Sequence, residues 1–384
     1  ANFGQDSTFS GATTAGGNTD GNGNGDFKHP VPNGFLALCS QNLPIPTIID
    51  GSDYFNTVLY TGTGATRSIT GVGFQPDWVW GKARNHGYSH WLYDSVRGAE
   101  KLLRSDLTSA EATQGQGLTA FNADGFSLGT TDDHNENTKT FAAWNWKAGG
   151  AAVSNTQGTN TTQVSANVDA GFSIATWTAV GSTQTQGHGL SQAPEMIITK
   201  NRSSTSYGNW YTYHKDLGAS ARVQLDQTNA VTTGSSQWGN TAPTSTVWTG
   251  FSGNSGDDWV AYCFHSSDVI KVGSYTGNGS ADGPFVYTGG RVQWLLLKDS
   301  SSGTSQWLMM DNTRDDDNPV TKKLGANISD AENSTSVGND SQNLVDFLSN
   351  GFKLRTSNGN SNASGGNFVY LAIMSTPQKH SNAR

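Results

Sequence analysis

Apolar residues in this chain come in short bursts set between long polar stretches of Gly, Asn, Ser and Thr. Bursts such as Trp78-Val79-Trp80, Met196-Ile197-Ile198 and Trp294-Leu295-Leu296-Leu297 are too short for helices and are bounded by turn residues, which predicts strands. Trp259-Val260-Ala261-Tyr262-Cys263-Phe264 is apolar at nearly every position, the pattern of a strand covered on both faces. Leu118–Phe121, Asp124-Gly125 and Phe126–Leu128 read as strand, turn and strand. Leu344–Phe347, Asn350-Gly351 and Phe352–Leu354 repeat that order. Ala99–Leu103 is the one helical expectation, a turn or two on a loop. No crossover helices separate the strands, so a parallel α/β sheet is excluded.

The bursts recur as a set. Pro76-Asp77-Trp78-Val79-Trp80-Gly81-Lys82 lines up with Pro194-Glu195-Met196-Ile197-Ile198-Thr199-Lys200 and with Val292-Gln293-Trp294-Leu295-Leu296-Leu297-Lys298. Nine or ten residues after each lysine stands a strand led by Trp91, Trp210 or Trp307. Closing strands follow at Phe141–Trp146, Trp259–Phe264 and from Phe368, the last displaced by an insertion assigned to the acidic Asp311–Pro319 loop. Internal repetition of this kind outranks other fold signals. The expectation is an all-β chain of three tandem diverged repeats. Each is a small antiparallel sandwich or jelly-roll-like unit, after a short N-terminal β segment. The expected segments are 1–50, a first unit at 51–149, a Gly/Ala/Ser/Thr linker at 150–171, a second unit at 172–266, a third at 267–376 and a tail at 377–384. The linker would let the first unit swing against the other two.

Composition narrows the function. Only 14% of residues are charged, the net charge is −8 and no Lys/Arg cluster occurs, so nucleic acid is not an expected partner. No stretch reaches the length of a membrane helix. Aromatics at 10% with 12 Trp provide for several small cores and argue against disorder. Cys39 and Cys263 fall in different segments and are expected as free thiols. The chain opens at Ala1 in strand-like sequence, so a preceding segment of the gene product is expected.

The string Phe74-Gln75-Pro76-Asp77-Trp78-Val79-Trp80, then His90–Gly98, Asp124–Gly129 and Ala143–Gly149, resembles a repeat domain of large virion proteins of tailed phages, especially marine and cyanobacterial ones. Asn2–Asp6 and Pro32–Leu38 resemble the end of a SPRY-type, concanavalin-like sandwich. The resemblance implies a tail fibre or other virion structural protein at the particle surface or outside the cell. It brings no catalytic motif.

Candidate chemistry is sparse. Asp315-Asp316-Asp317, with Asp311 before them, offers oxygens for Ca²⁺, as do Asp132, Asp133, Asn135 and Glu136, though neither run has EF-hand spacing. His86 and His90 lie in a loop and share no face for zinc. Asp77, Asp94, Glu195 and Asp216 are the carboxylates a glycosidase would draw on, but the Asp77 position changes between copies as a turn residue does. Trp238 and Trp248 sit among Gly, Ser and Thr, where an exposed ring would stack on a sugar. The lysines at 82, 200 and 298 are expected to lay their stems on tryptophan with the ammonium in water. The expected role is a non-enzymatic virion fibre supporting host attachment. It would work as a homo-oligomer, a trimer first, with other virion proteins and a host glycan as partners. The alternatives are an array of carbohydrate-binding modules in a secreted bacterial protein, or a polysaccharide depolymerase.

Overall fold

The computed structural model describes residues 4, 6–250, 253–337 and 344–377. It divides into two compact units, Ala1–Thr47 and Ile48–Arg384. Among the described residues, the paired strands of the larger unit are antiparallel, with one parallel bridge between Asn160 and Gln186 and helix confined to short turns such as Asp132–Asn135 and Gly359–Asn362.

Its plan is one sheet built three times. In the first copy the opening strand Phe55–Thr61 pairs with the closing strand Thr140–Trp146. That strand pairs on its other side with Trp78–Ala83, which leads to Trp91–Asp94. The second copy has the same order: Phe172–Thr178, Asp258–Phe264, Met196–Asn201, Tyr211–His214. So does the third: Ile270–Thr276, Asn367–Pro377, Gly290–Asp299, Leu308–Asp311. Trp78, Met196 and Trp294 occupy equivalent places, opposite Trp146, Phe264 and Ile373.

A smaller sheet covers the outer face of each copy. It comprises Arg67–Thr70, Gly125–Leu128 and Leu118–Asn122 in the first copy, and Phe285–Tyr287, Gly351–Leu354 and Val345–Leu348 in the third. In the second it shrinks to Gln184–Gly187 with Val247–Gly250. The hairpin glycines are needed for close approach: a Cβ on Gly125 would lie 2.1 Å from the Ile69 carbonyl oxygen, and one on Gly351 2.1 Å from that of Val286.

Strand alternation splits the side chains between two kinds of core. One face of each large sheet packs on its own outer sheet: Val79, Trp91 and Phe126; Ile197, Trp248 and Ala261; Leu295, Phe352 and Tyr370. The opposite faces meet in a single shared core holding Trp78, Trp80, Trp144 and Trp146 of the first copy, Phe172, Tyr262 and Phe264 of the second, and Trp294, Trp307 and Leu371 of the third. Ring centroids of Trp78 and Tyr262 lie 4.2 Å apart, and those of Trp146 and Trp294 5.3 Å apart.

Hydrogen bonds between copies run in a closed cycle. Glu111 N donates to Arg202 O at 2.8 Å, Val231 N to Ser300 O at 2.8 Å and Glu332 N to Arg84 O at 2.7 Å, taking copy one to two, two to three and three to one. A second cycle runs beside it: Trp210 Nε1 donates to Arg104 O at 2.8 Å, Trp307 Nε1 to Gln224 O at 2.9 Å and His90 Nε2 to Gly325 O at 2.8 Å. His90 Nδ1 accepts from Trp80 Nε1 at 2.9 Å, which fixes the ring proton on Nε2.

Several expectations give way. Residues 150–171 are no linker, because Val153–Asn155 and Thr162–Asn167 extend the second sheet beyond its opening strand. With that stretch in a sheet and the core shared, the first copy does not swing. Within 99–103, Ala99 and Glu100 form a turn with Glu100 at φ 66°, and the short strand Lys101–Leu102 follows. The N-terminal β segment is absent among the described residues: 4–47 form turns, one bridge between Asn18 and Phe27, and a 3-10 turn at Ser40–Asn42. Asn2, Phe3 and Gln5 of the SPRY-like string, and the expected tail from 378 on, lie outside the described residues. The tryptophan alignment slips by one residue. Trp91 faces Gly81, whereas Tyr211 faces Thr199 and Leu308 faces Leu297, so His90, not Trp91, matches Trp210 and Trp307. A one-residue shift turns a strand side chain to the other face. Trp91 therefore packs in its own copy, over a glycine whose Cβ would lie 1.9 Å from the indole.

The shared core predicts that the three copies unfold together. Urea titrations followed by tryptophan fluorescence and far-UV dichroism should give coincident transitions. Trp294→Ala should cost about 3–5 kcal/mol and move both probes equally; separate transitions in the variant would show that the copies fold independently.

Candidate functional site

The residues singled out for chemistry mostly turn inward. Trp238 and Trp248 are buried, at 2% and 1% exposure, so neither offers a face to a sugar. Trp248 packs edge-on to Trp177 at 5.5 Å, and Trp238 edge-on to Tyr213 at 5.8 Å. The polar residues around them are loop, but the rings fill the sandwich of the second copy.

The acidic run forms no cation cage. Asp311 is fully buried and binds Arg314, Oδ2 to Nε at 2.5 Å, while accepting Trp144 Nε1 of the first copy at 3.0 Å. Asp315 Oδ2 accepts from Thr321 N at 2.6 Å, Thr321 Oγ1 at 2.9 Å and Lys322 N at 3.0 Å. Asp316 and Asp317 are exposed. Asp133 binds Arg104 at 2.6 Å and His134 Nδ1 at 2.6 Å. Among the described residues no three or more His, Cys, Asp or Glu side chains converge as metal ligands.

Asp94 repeats the Asp311 arrangement, with Arg97 Nε at 2.5 Å and Tyr262 Oη of the second copy donating at 2.8 Å. Arg97 and Arg202 share Glu111 at 2.9 Å, and Arg314 and Arg84 share Glu332 at 2.9 Å. The charges thus join copy one to two and three to one. Asp77 and Glu195 anchor turns: Asp77 accepts from Ser95 Oγ at 2.7 Å and Ala148 N at 2.8 Å, and Glu195 binds Lys215 and Ser266.

The three lysines are the clearest surprise. Their ammonium groups do not reach water. Lys82 donates to Ala83 O at 2.7 Å and His86 O at 3.0 Å, Lys298 to Thr228 O at 2.8 Å and Ser305 O at 2.7 Å, and Lys200 to Gly208 O. Lys200 also stands over Trp210. Burial pushes all three down to about 8. His90, behind the same wall, is pushed down to about 3 by burial and by Lys82, and stays neutral.

What faces outward with defined chemistry is a groove of about 390 Å³ in the second copy, walled by Tyr207, Tyr211 and Arg222 and by the loop Thr232–Gln237. The Arg222 guanidinium lies 5.0 Å over the Tyr211 ring, within cation–π range. Its Nη1 donates to Gln237 Oε1 at a long 3.3 Å, and its Nε, shielded from water, has no partner. The loop is held from beneath, Ser235 N donating to Ser220 O at 2.8 Å and Trp238 filling the core under Gln237. Burial raises the Tyr211 phenol while Arg222 opposes the rise, so that phenol stays neutral beside the cationic guanidinium. A groove of about 530 Å³ at Asp299, Ser301 and Asn358–Gly366 is larger, but there Asp299 is already taken by Ser301 N at 2.9 Å and Oγ at 2.6 Å. Sequence analysis missed the Arg222 groove, since Arg222 stands alone between the apolar Ala221 and Val223 of a short strand and meets Gln237 only through the fold.

Residues 50–377 match the family described as "Domain of unknown function (DUF7483)". The chain belongs to that family. The DUF7483 match takes in all three sheets and the groove. No curated protein matches the chain. Among solved structures, the flagellar hook junction protein FlgK from Burkholderia pseudomallei aligns at 13% identity over 56% of this chain and 43% of that one, with a TM-score of 0.10. The chain thus spans less than half of that protein, and so low a score carries no argument.

Two predictions follow from the buried charges. Between pH 8 and 10 the folded lysines have lost protons that the unfolded chain still binds, so stability rises with pH, by at most about 1.4 kcal/mol per pH unit for each lysine. The buried phenols of Tyr60, Tyr262 and Tyr275, raised well above their ordinary value, reverse the trend at higher pH. Urea midpoints across this range should climb in the wild type and lie flatter in Lys82→Met/Lys200→Met/Lys298→Met; an equal climb in both would place the ammonium groups in water. Asp311→Ala leaves the buried Arg314 with Glu332 as its only ion-pair partner and Trp144 Nε1 without its acceptor, and should cost about 3–5 kcal/mol, whereas Asp316→Asn/Asp317→Asn should stay within about 0.5 kcal/mol. Millimolar Ca²⁺ should leave the melting temperature unmoved, and a rise abolished by the double variant would restore a cation to that loop.

Proposed function

We propose that this DUF7483 chain is a non-enzymatic display module of a virion, a section of tail or head fibre that carries attachment loops at the particle surface. The observation that supports the reading best is the closed cycle of contacts among the copies. The carboxylates and lysines that recur between copies hold strands, turns and neighbouring copies in place. A body so braced serves to hold loops rigidly outward, which suits attachment under load. The resemblance of Phe74–Trp80 and His90–Gly98 to repeats of phage structural proteins supplies the particle.

Other virion proteins, a host glycan and further copies of the chain are the proposed partners. Antibody raised against the purified chain should decorate fibres on negatively stained particles of the source phage. Labelling only of the culture supernatant of a bacterial host would instead favour a secreted carbohydrate-binding array. Light scattering reads self-association separately: the mass of three chains supports a wound fibre, and the mass of one chain removes it.

A further inference from the structure

We propose that the groove at Tyr207, Tyr211, Arg222 and Gln237 binds a saccharide bearing a carboxylate, a uronic-acid-type sugar unit. The inference gives the display reading a ligand and rests on it only for biological purpose; the binding itself is a property of the groove.

Four features of the groove converge on that ligand. Its volume of about 390 Å³ lies in the range of small-ligand sites and admits one or two sugar rings rather than a protein segment. Tyr207, 43% exposed, presents an aromatic wall for the apolar face of a pyranose. Thr232, Thr233 and Ser236 bring hydroxyls to the rim, the partners that sugar hydroxyls need. Arg222 is the fourth and decides the charge. Arg84, Arg97, Arg104, Arg202, Arg314 and Arg355 each carry an acidic partner; Arg222, like Arg67 and Arg291, has no ion pair among the described residues, and it is the one that walls this groove.

Gln237 occupies Nη1 only, at a long 3.3 Å, which leaves the shielded Nε without an acceptor and the edge it forms with Nη2 uncommitted. That edge matches the two oxygens of a carboxylate, each accepting one N–H, after a small turn of the side chain. An orphaned buried donor such as Nε carries a desolvation cost that a bound acceptor removes. Asp226, whose charge acts on Tyr211, accepts from Trp210 N at 2.9 Å and Asn209 Nδ2 at 2.8 Å and forms no ion pair with Arg222. One guanidinium in the groove of a chain of net charge −8 suits one carboxylate, not a dense polyphosphate.

The test is isothermal titration of the purified full chain with α-1,4-trigalacturonate, with the neutral galactose trisaccharide of the same linkage as control. Trigalacturonate should bind with Kd on the order of 0.1–1 mM, at least tenfold more tightly than the neutral sugar. Arg222→Gln should lose that preference, and Arg222→Lys should keep only part of it, because a point charge cannot present the paired N–H edge. Tyr207→Ala should weaken both sugars. Unchanged melting temperatures show that each variant is folded. Equal binding of the two sugars by the wild type, equal binding of trigalacturonate by wild type and Arg222→Gln, or no heat with either sugar at tens of millimolar would each overturn the proposal. None of these outcomes bears on whether antibody labels a particle, and particle labelling does not bear on them.

Discussion

A strand that is apolar on both faces has to be covered twice, and each copy of this fold has one at its centre. Thr140–Trp146, Asp258–Phe264 and Asn367–Pro377 each lie between two partner strands. Their outward faces are covered by the copy's own second sheet, but nothing within a copy covers the inward ones. Trp144, Trp146, Tyr262, Phe264, Leu371 and Ile373 are buried only because the other two copies stand opposite. A lone copy would expose a broad aromatic patch to water, at a cost of roughly 25 cal/mol for each Å². The tandem arrangement thus follows from the composition of a single strand.

Polar contacts then decide which arrangement of three copies is adopted. Paired buried charges contribute little net stability against desolvation, yet a mismatched pair is costly, so they select register. Two of the three junctions carry such groups at Glu111 and Glu332. At the junction of the second and third copies, Val231 and Ser300 stand in the equivalent places without an ion pair, and the backbone bond is joined by those from Lys298 Nζ to Thr228 O and from Trp307 Nε1 to Gln224 O. That junction is also where the chain itself passes from Phe264 to Ile270 in a few residues. Covalent proximity there accompanies a junction without an ion pair.

The strands, the hairpins and the double-faced closing strand were legible because periodicity and turn residues are local properties. The equivalence of Trp78, Met196 and Trp294 was legible too, since repeats compare a chain with itself. What escaped depends on neighbours distant in sequence. Trp238 sits among glycines and serines, but Tyr213 decides its burial. Asp311 looks like part of an acidic loop until Arg314 and Trp144 close on it. The lysines end their strands, where solvent is the natural guess, yet loops such as the one at Thr228 fold over the ammonium. Trp91 aligned with Trp210 by type while the strands aligned by face, a one-residue difference that residue matching cannot see.

The closing strand is last in sequence and central in space. As a ribosome delivers the third copy, Ile270–Thr276 and Gly290–Asp299 emerge well before the strand that belongs between them. The nascent sheet therefore waits with an open slot flanked by two unpaired backbone edges until Asn367–Pro377 appears. A translation pause just before Asn367 would hold that slot open, and a neighbouring nascent chain on the same message carries the very strand that fits it.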